Sequence, residues 1–143
     1  MQAITIGRLA KVAGVGVETV RFYERKGLMD APARKASGYR QYDARAVERI
    51  RFIRSAQQVG FTLNEIHELL DLRDDKDARR ADVRERATAK IADIDEKILE
   101  LTAMRTALTA LLASCVGDGP AAGCPIITSF GEPTQHQHSG ELQ

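Results

Sequence analysis

The segment from Ala81 to Ser114 constrains the fold most, because it contains neither glycine nor proline. Apolar residues recur along it at spacings of three and four, interrupted only at Arg105: Ile91, Ile94, Ile98, Leu101, Leu108 and Leu112. This spacing predicts one helix with a heptad stripe, about 50 Å long at 1.5 Å per residue. A stripe of that length is too long to be buried on a head of about 70 residues. A second copy of the same helix is the favoured partner, and a helix folded back on its own chain is the alternative.

The residues before the long helix carry the signals of a winged helix-turn-helix. Apolar residues recur at helical spacing over residues 5–13 and again over 17–25, and a glycine-containing turn at 14–16 joins the two segments. Turn-forming residues follow, and residues 38–42 then predict a short strand. A loop and strand in this place would form a wing beside the second helix.

Two further helices are predicted between the wing and the long helix. Asp43 is a good N-cap for a third helix that ends before Gly60. Thr62 and Glu65 fit a capping box that begins a fourth. The predicted fold class is therefore mainly α, with a winged helix-turn-helix head followed by a long dimerisation helix that forms a coiled coil.

The predicted elements divide the chain into five segments. The winged helix-turn-helix domain with its connecting helices occupies residues 1–72, a polar linker residues 73–80, and the dimerisation helix residues 81–114. A cysteine-flanked loop and a short terminal helix follow over residues 115–130. Residues 131–143 are rich in Gly, Gln, His and Ser, a composition typical of a disordered tail.

The charges are distributed unevenly along the chain. Residues 1–60 hold 12 Lys and Arg against 5 Asp and Glu, whereas residues 61–143 hold 9 against 15. A basic head on an acidic body indicates that the head meets a polyanion, and chance clustering on a solvated surface is the alternative.

Several classes of protein are disfavoured. The longest apolar runs are too short to span a membrane, and the N-terminal residues lack the apolar core of a signal peptide, so we expect a cytoplasmic protein without a membrane partner. Two cysteines cannot build a disulfide framework. The sequence shows no phosphate-cradling glycine loop, no Ser/His/Asp set and no closed zinc site, so we do not expect an enzyme.

Polar side chains on the second helix suit a recognition helix, which reads base edges in the major groove. Arg and Tyr side chains can also hold phosphates, and Tyr39 and Arg40 on the wing would contact the flanking backbone. Arg54 on the third helix extends the basic surface. The candidate DNA-binding residues are therefore Glu18, Thr19, Arg21, Tyr23, Tyr39, Arg40 and Arg54.

Cys115 and Cys124 flank a loop rich in glycine and proline just beyond the long helix. Thiolates are soft ligands that select Cu(I), Ag(I), Au(I) or Hg(II), and a pair of them suits linear coordination. Zn(II) would need two more ligands. Inert thiols and a redox-switching disulfide are the alternatives.

Four stretches of this sequence resemble the MerR family of transcriptional regulators: residues 6–14, 17–28, 38–42 and 58–66. The resemblance runs from about Ile4 to Ile127 and covers nearly the whole chain. The Cys-loop-Cys-Pro-Ile-Ile segment resembles the metal-sensing branch, with the copper-efflux regulators first and the mercury regulators second.

The resemblance implies a homodimer joined by an antiparallel coiled coil and bound to a palindromic site in promoter DNA. The activated dimer of this family bends and undertwists that DNA, so that bacterial RNA polymerase engages both promoter elements. Residue by residue, the family's DNA contacts fall on Arg21, Tyr23, Tyr39 and Arg40, and its two loop ligands fall on Cys115 and Cys124.

Arg80 departs from the family pattern. It occupies the position at the start of the long helix where the family has Ser in monovalent-metal sensors and Cys in many divalent-metal sensors. The absence of a third cysteine disfavours the three-thiolate Hg(II) site and the Zn, Cd and Pb sites. Two thiolates on a monovalent ion leave one negative charge, which Arg80, Arg79 or Arg84 would compensate together with the positive end of the long helix. An Arg80 that is merely exposed to solvent is the alternative.

The metal expected is thus a soft ion, with Cu(I) first and Ag(I) or Au(I) next, and efflux or detoxification genes are the expected targets. One alternative is an Hg(II)-responsive regulator, because the mercury regulators of the family share the eight-residue spacing between the two cysteines. The other alternative is a thiol redox sensor of the same fold. His136 and His138 in the tail form a pair that could hold a transition metal weakly, although a tail with no structural role is the favoured interpretation.

Overall fold

The structure is a computed structural model that describes residues 3–32 and 41–132. Within these ranges the chain is mainly helical, and its one β feature is an antiparallel bridge between Ile4 and Tyr42. The elements are α1 (Ile6–Ala13), α2 (Val17–Arg25), α3 (Ala44–Gln58), α4 (Leu63–Asp74), α5 (Arg80–Ala113), a 3₁₀ turn (Ala121–Gly123) and α6 (Pro125–Gly131). The predicted fold class, a helix-turn-helix head followed by a long helix, is confirmed.

The helices of the head begin where side chains cap them. The Thr5 hydroxyl accepts from the Arg8 N–H at 3.3 Å, and the Asp43 carboxylate accepts from the backbone N–H groups of Arg45 and Ala46 in α3. Thr62 and Glu65 form the predicted capping box at the start of α4, since each side chain bonds the other residue's backbone N–H. These caps satisfy N–H groups that have no partner within the helix.

The segment between α4 and α5 is shorter than the linker predicted over residues 73–80. Helix α4 continues to Asp74 because its last turn contacts α3, where the Asp74 carboxylate lies 3.5 Å from Arg49 and the Arg73 guanidinium lies 5.2 Å from the centre of the Phe52 ring. Helix α5 begins at Arg80, one residue before the predicted start. Residues 75–79 therefore connect the two helices.

The first of two compact units comprises residues 1–94, and its core lies between α1, α2, α3 and α4. Aliphatic side chains less than 2% exposed form the centre of that core: Leu9, Val20, Leu28, Ile50, Ile53, Ile66 and Leu70. Burying each such side chain contributes about 1.5–3 kcal/mol. The core thus holds α1 and α2 on α3 and leaves the outer face of α2 available to a ligand.

The second unit comprises residues 95–143 and includes the later part of α5, the cysteine loop and α6. The heptad stripe of α5, which begins in the first unit, has side chains between 38% and 67% exposed: Ile91, Ile94, Ile98, Leu101, Leu108 and Leu112. A row of uncovered aliphatic side chains on one helix is typical of a surface that a second chain covers.

Two sequence-based expectations fall on residues outside the described ranges. Tyr39 and Arg40 of the predicted wing lie outside the described ranges. Tyr42, at the end of the predicted strand, is described and pairs with Ile4 through N–H···O bonds of 2.7 and 2.8 Å. The tail with His136 and His138 lies within residues 133–143.

Candidate metal centre and nucleic-acid interface

The loop after α5 brings the two thiols together. Cys115 follows the end of α5 by two residues, Cys124 is the residue that precedes α6, and their sulfurs lie 3.2 Å apart. The loop turns back at Gly117 and Gly119, whose φ angles of 86° and 99° are costly for residues with a Cβ. Both cysteines are half-buried. The predicted pairing of the two side chains is therefore present in the second unit.

The surroundings of Cys124 favour its thiolate. The hydrogen bond between the two sulfurs lowers the pKa of Cys124 most, and the backbone N–H groups of Ile126 and Ile127 lower it further. A thiolate rather than a thiol is the metal ligand and the nucleophile. Within the described residues no third His, Cys, Asp or Glu joins the pair. This donor set fits a soft ion held by two sulfurs and does not fit tetrahedral zinc.

The outer face of α2 carries exposed polar side chains. Glu18 and Arg21 form an ion pair of 2.8 Å, and their side chains are 78% and 52% exposed. An exposed pair of this kind adds little to stability. Thr19 is half-buried beside them, one residue after Glu18. These three side chains can accordingly exchange solvent for a nucleic acid without loss of the core.

Tyr23 lies on the inner face of the same helix. It is 3% exposed, and its hydroxyl donates to the Gln57 side chain of α3 at 2.9 Å. Burial raises the pKa of Tyr23. The expected contact of Tyr23 with DNA stays a prediction, and this placement favours a role in positioning α2.

Arg54 connects α3 to the turn of the helix-turn-helix. Its guanidinium donates to the Gly14 carbonyl at 3.1 Å, although the two residues are 40 positions apart in the chain. Gly14 has a φ of 75°, which is suited to glycine at the end of α1. Arg54 therefore supports the turn directly, and any contact with DNA would be additional.

Lys90 is a functional candidate that the sequence interpretation missed. It is 8% exposed, the only buried residue of α5, and its ammonium lies 2.7 Å from the Glu65 carboxylate of α4. The hydrogen bond with Glu65 raises the pKa of Lys90 and lowers that of Glu65. A lysine in a heptad helix is ordinarily read as solvent-exposed, so only the packing of α5 reveals this pair.

Arg80 is the first residue of α5 and is exposed. It belongs to the first unit, whereas Cys115 and Cys124 belong to the second. Its expected role beside the metal stays a prediction.

Comparison with known proteins identifies the family. A family model described as "MerR HTH family regulatory protein" matches residues 4–72, and one described as "MerR, DNA binding" matches residues 47–111. The chain is 40% identical over 134 residues to the HTH-type transcriptional regulator CueR of Escherichia coli O6:H1, and the alignment covers 94% of this chain and 98% of the relative. The chain belongs to the MerR family.

Other MerR-family proteins are similar over comparable lengths. The mercuric resistance operon regulatory protein of Serratia marcescens is 42% identical over 130 residues, which cover 91% of this chain and 89% of that protein. The crystal structure of the transcription regulator PbrR691 from Ralstonia metallidurans CH34 in complex with lead(II) has a TM-score of 0.79 and 38% sequence identity, and covers 89% of this chain and 98% of that chain. These relatives lie in the metal-responsive part of the MerR family.

Membership in the MerR family makes the chain a DNA-binding transcriptional regulator, not an enzyme. MerR regulators bind promoter DNA, and the homodimer is general for the family. No helix in the described part of the chain has the length and apolar character needed to cross a membrane.

Proposed function

We propose that this MerR-family regulator switches a promoter when Cys115 and Cys124 bind a soft metal ion. The observation that carries the proposal is the pair of sulfurs 3.2 Å apart, of which Cys124 has a lowered pKa. A soft ion replaces the thiol protons, and its bonds to both sulfurs then hold the two ends of the loop together. Genes for efflux or detoxification of that ion are the proposed targets.

We propose a monovalent ion as the effector, with Cu(I) first and Ag(I) or Au(I) next. Two thiolates around such an ion carry one net negative charge. Arg80, which occupies the position that selects the metal in the family, is proposed to balance that charge. Hg(II) is the second candidate, because two thiolates neutralise it and because a relative at 42% identity is a mercuric resistance regulator. Arg80→Ser should therefore change the preference between Cu(I) and Hg(II) more than it changes operator affinity.

The DNA part of the proposal places two heads of a homodimer on one palindromic site. Glu18, Thr19 and Arg21 on the exposed face of α2 face the base edges and phosphates, with Arg54 beside the turn. Bending DNA of this length costs on the order of 1–6 kcal/mol. The metal can supply that energy only if it binds the dimer that holds bent DNA more tightly than the dimer that holds unbent DNA. Bacterial RNA polymerase then engages the promoter.

A competition titration tests the choice of metal. Bound duplexes are first selected from a random pool, and the selected site is placed between the two elements of a promoter. Run-off transcription is then measured with buffered Cu(I), Ag(I), Au(I) and Hg(II), each with the purified full chain. We expect activation by the monovalent ions at the lowest free concentrations. Activation by Hg(II) alone would overturn the monovalent assignment, and activation by none would overturn metal sensing.

A thiol redox sensor is the second candidate function, and the contact between the two sulfurs favours it. A hydroperoxide would take two electrons from Cys115 and Cys124, forming the S–S bond together with water and an alcohol. Mass spectrometry of protein from cells treated with peroxide separates the two functions. An oxidised pair that activates the promoter without metal would support redox sensing.

A further inference from the structure

Lys90 joins the long helix to the DNA-binding head. Its ammonium lies 2.7 Å from Glu65, 3.6 Å from Asp93 and 5.7 Å from the centre of the Phe61 ring. Glu65 and Phe61 belong to α4 and the turn before it, whereas Asp93 is on α5 itself. We call these four residues the Lys90 clasp.

The turn between α3 and α4 lies against the same stretch of α5. A Cβ added to Gly60 would meet the Lys90 Cδ at 3.8 Å and the Ile94 Cδ1 at 3.9 Å. Residues 75–79 link α4 to α5 covalently. In the described part of the chain, two ion pairs also join these helices: Lys90–Glu65 and Arg86–Glu68. The second pair is about half exposed on both sides.

Burial makes the Lys90 pair sensitive to displacement. An ammonium shielded from water is costly when its carboxylate moves away, whereas an exposed pair such as Arg86–Glu68 is readily replaced by water. A shift of α5 therefore either carries the turn and α4 with it or leaves Lys90 with only the longer contact, 3.6 Å, to Asp93 of its own helix. Moving α4 together with α5 costs less free energy than separating Lys90 from Glu65, so we expect the head to move with the helix.

We propose that the Lys90 clasp is the joint that transmits a displacement of α5 to the DNA-binding head, which makes Lys90 a positioning residue for regulation. This inference rests on the proposed metal response. Helix α5 is continuous from Arg80 to Ala113, and Cys115 follows two residues later. Of the two ion pairs that join α4 to α5, the pair made by the buried Lys90 is the one through which the head would respond to a displacement of α5.

Two variants remove the ion pair while keeping the neighbouring structure. Lys90→Met keeps the apolar stem that lies over Gly60, and Glu65→Gln keeps the acceptor that the capping box requires. Arg86→Met is the matched control, because it removes the other α4–α5 pair one helical turn away, where the side chains are exposed.

The experiment uses the full chain, the selected duplex, and Cu(I) and Hg(II) as separate probes. It measures metal affinity, operator affinity, run-off transcription and hydrogen exchange of residues 58–70. We expect both clasp variants to bind metal and operator as the wild type does, while metal-induced transcription falls about fivefold or more. Metal should change the exchange of residues 58–70 in the wild type and in Arg86→Met, but not in Lys90→Met.

The outcomes separate this inference from the proposal on which it rests. A wild type that ignores both metals contradicts the proposed function itself. A wild type that responds, with clasp variants induced to the same level, contradicts only the clasp. Unfolding of both clasp variants at the assay temperature, seen by circular dichroism, would also overturn it, because Lys90 would then serve folding alone.

Discussion

Burial and hydrogen-bond partners separate the polar side chains that support the head from those that can meet DNA. Arg21 is 52% exposed, and within the described residues it pairs with Glu18 on its own helix. Tyr23, two residues later, is 3% exposed and bonded to Gln57. The resemblance to the family places DNA contacts at both positions, but their different surroundings predict different roles. Arg21 presents charge, whereas Tyr23 fixes the helix that carries it.

Tyr23→Phe tests this division of roles. Removing the hydroxyl deletes its bond to Gln57 and leaves the ring in the core, so the free energy of unfolding should fall by about 1 kcal/mol. Denaturant unfolding and operator affinity are measured on the same preparation. We expect operator affinity to stay within about twofold. A large loss of affinity with unchanged stability would instead show that the hydroxyl contacts DNA.

The lowered pKa of Cys124 predicts unequal reactivity of the two thiols. The thiolate is the reacting form, so iodoacetamide at neutral pH should modify Cys124 before Cys115 in the metal-free chain. Because the depressed pKa keeps Cys124 charged at lower pH, its reaction should persist as the pH falls below the range of an ordinary thiol. Peptide mass spectrometry follows each site.

Cys115→Ala supplies the control for that experiment. The hydrogen bond with Cys115 is the largest cause of the lowered pKa, so its removal should shift the alkylation profile of Cys124 to higher pH. An unchanged profile would mean that the backbone N–H groups alone set the pKa.

At the scale of the element, local signals were sufficient to predict most helices. The spacing of apolar residues, the capping box at Thr62 and the lack of glycine and proline in α5 all act within a few neighbouring residues. The helix predicted from Val17 to Arg25 is present with those ends. The contact between Cys115 and Cys124 was also predictable, because a short loop joins them.

Contacts between distant elements were not predictable in the same way. The Arg54–Gly14 bond spans 40 residues, and the burial of Lys90 depends on how α5 packs against α4. Neither leaves a periodic pattern in the chain, since each concerns one side chain whose type is common on exposed helix faces. The end of α4 was misplaced for the same reason, because Arg73 and Asp74 are polar yet contact α3.

Replacing Gly7 and Gly60 by alanine should change the free energy of unfolding in opposite directions. Gly7 is exposed within α1, where an added Cβ meets only the Thr5 hydroxyl oxygen at 4.0 Å, so Gly7→Ala should stabilise the protein by about 0.5–1 kcal/mol. Gly60 has a φ of 97°, so Gly60→Ala should destabilise it by about 1–2 kcal/mol. Denaturant unfolding of both variants checks the signs. Stabilisation by Gly60→Ala would contradict the backbone conformation of the α3–α4 turn.

At the scale of the whole molecule, the division of charge matches the division of tasks. The basic residues 1–60 contain the helix-turn-helix, and the acidic remainder contains the long helix and the thiol loop. The apolar stripe of α5 is the part that one chain leaves uncovered. Two copies that bury this stripe would place two basic heads in one molecule, as a palindromic site requires.

Leu101→Asp tests the surface used for dimerisation. A carboxylate within the stripe would have to be buried by the second copy, so the variant should dissociate at concentrations where the wild type is a dimer. Sedimentation equilibrium measures the change. Ala103→Asp, on the opposite side of α5, is the control and should remain dimeric. Dissociation of both variants, or of neither, would place the dimer interface elsewhere.

The pair of thiols is proposed to convert metal binding into transcription. The most direct measurement is run-off transcription from the selected promoter with buffered Cu(I), comparing the wild type with Cys115→Ser and Cys124→Ser. Operator affinity is measured alongside. We expect each substitution to abolish metal-induced transcription and to leave operator affinity within about twofold, because the loop and the helix-turn-helix belong to different compact units. Full induction in both serine variants would contradict this expectation.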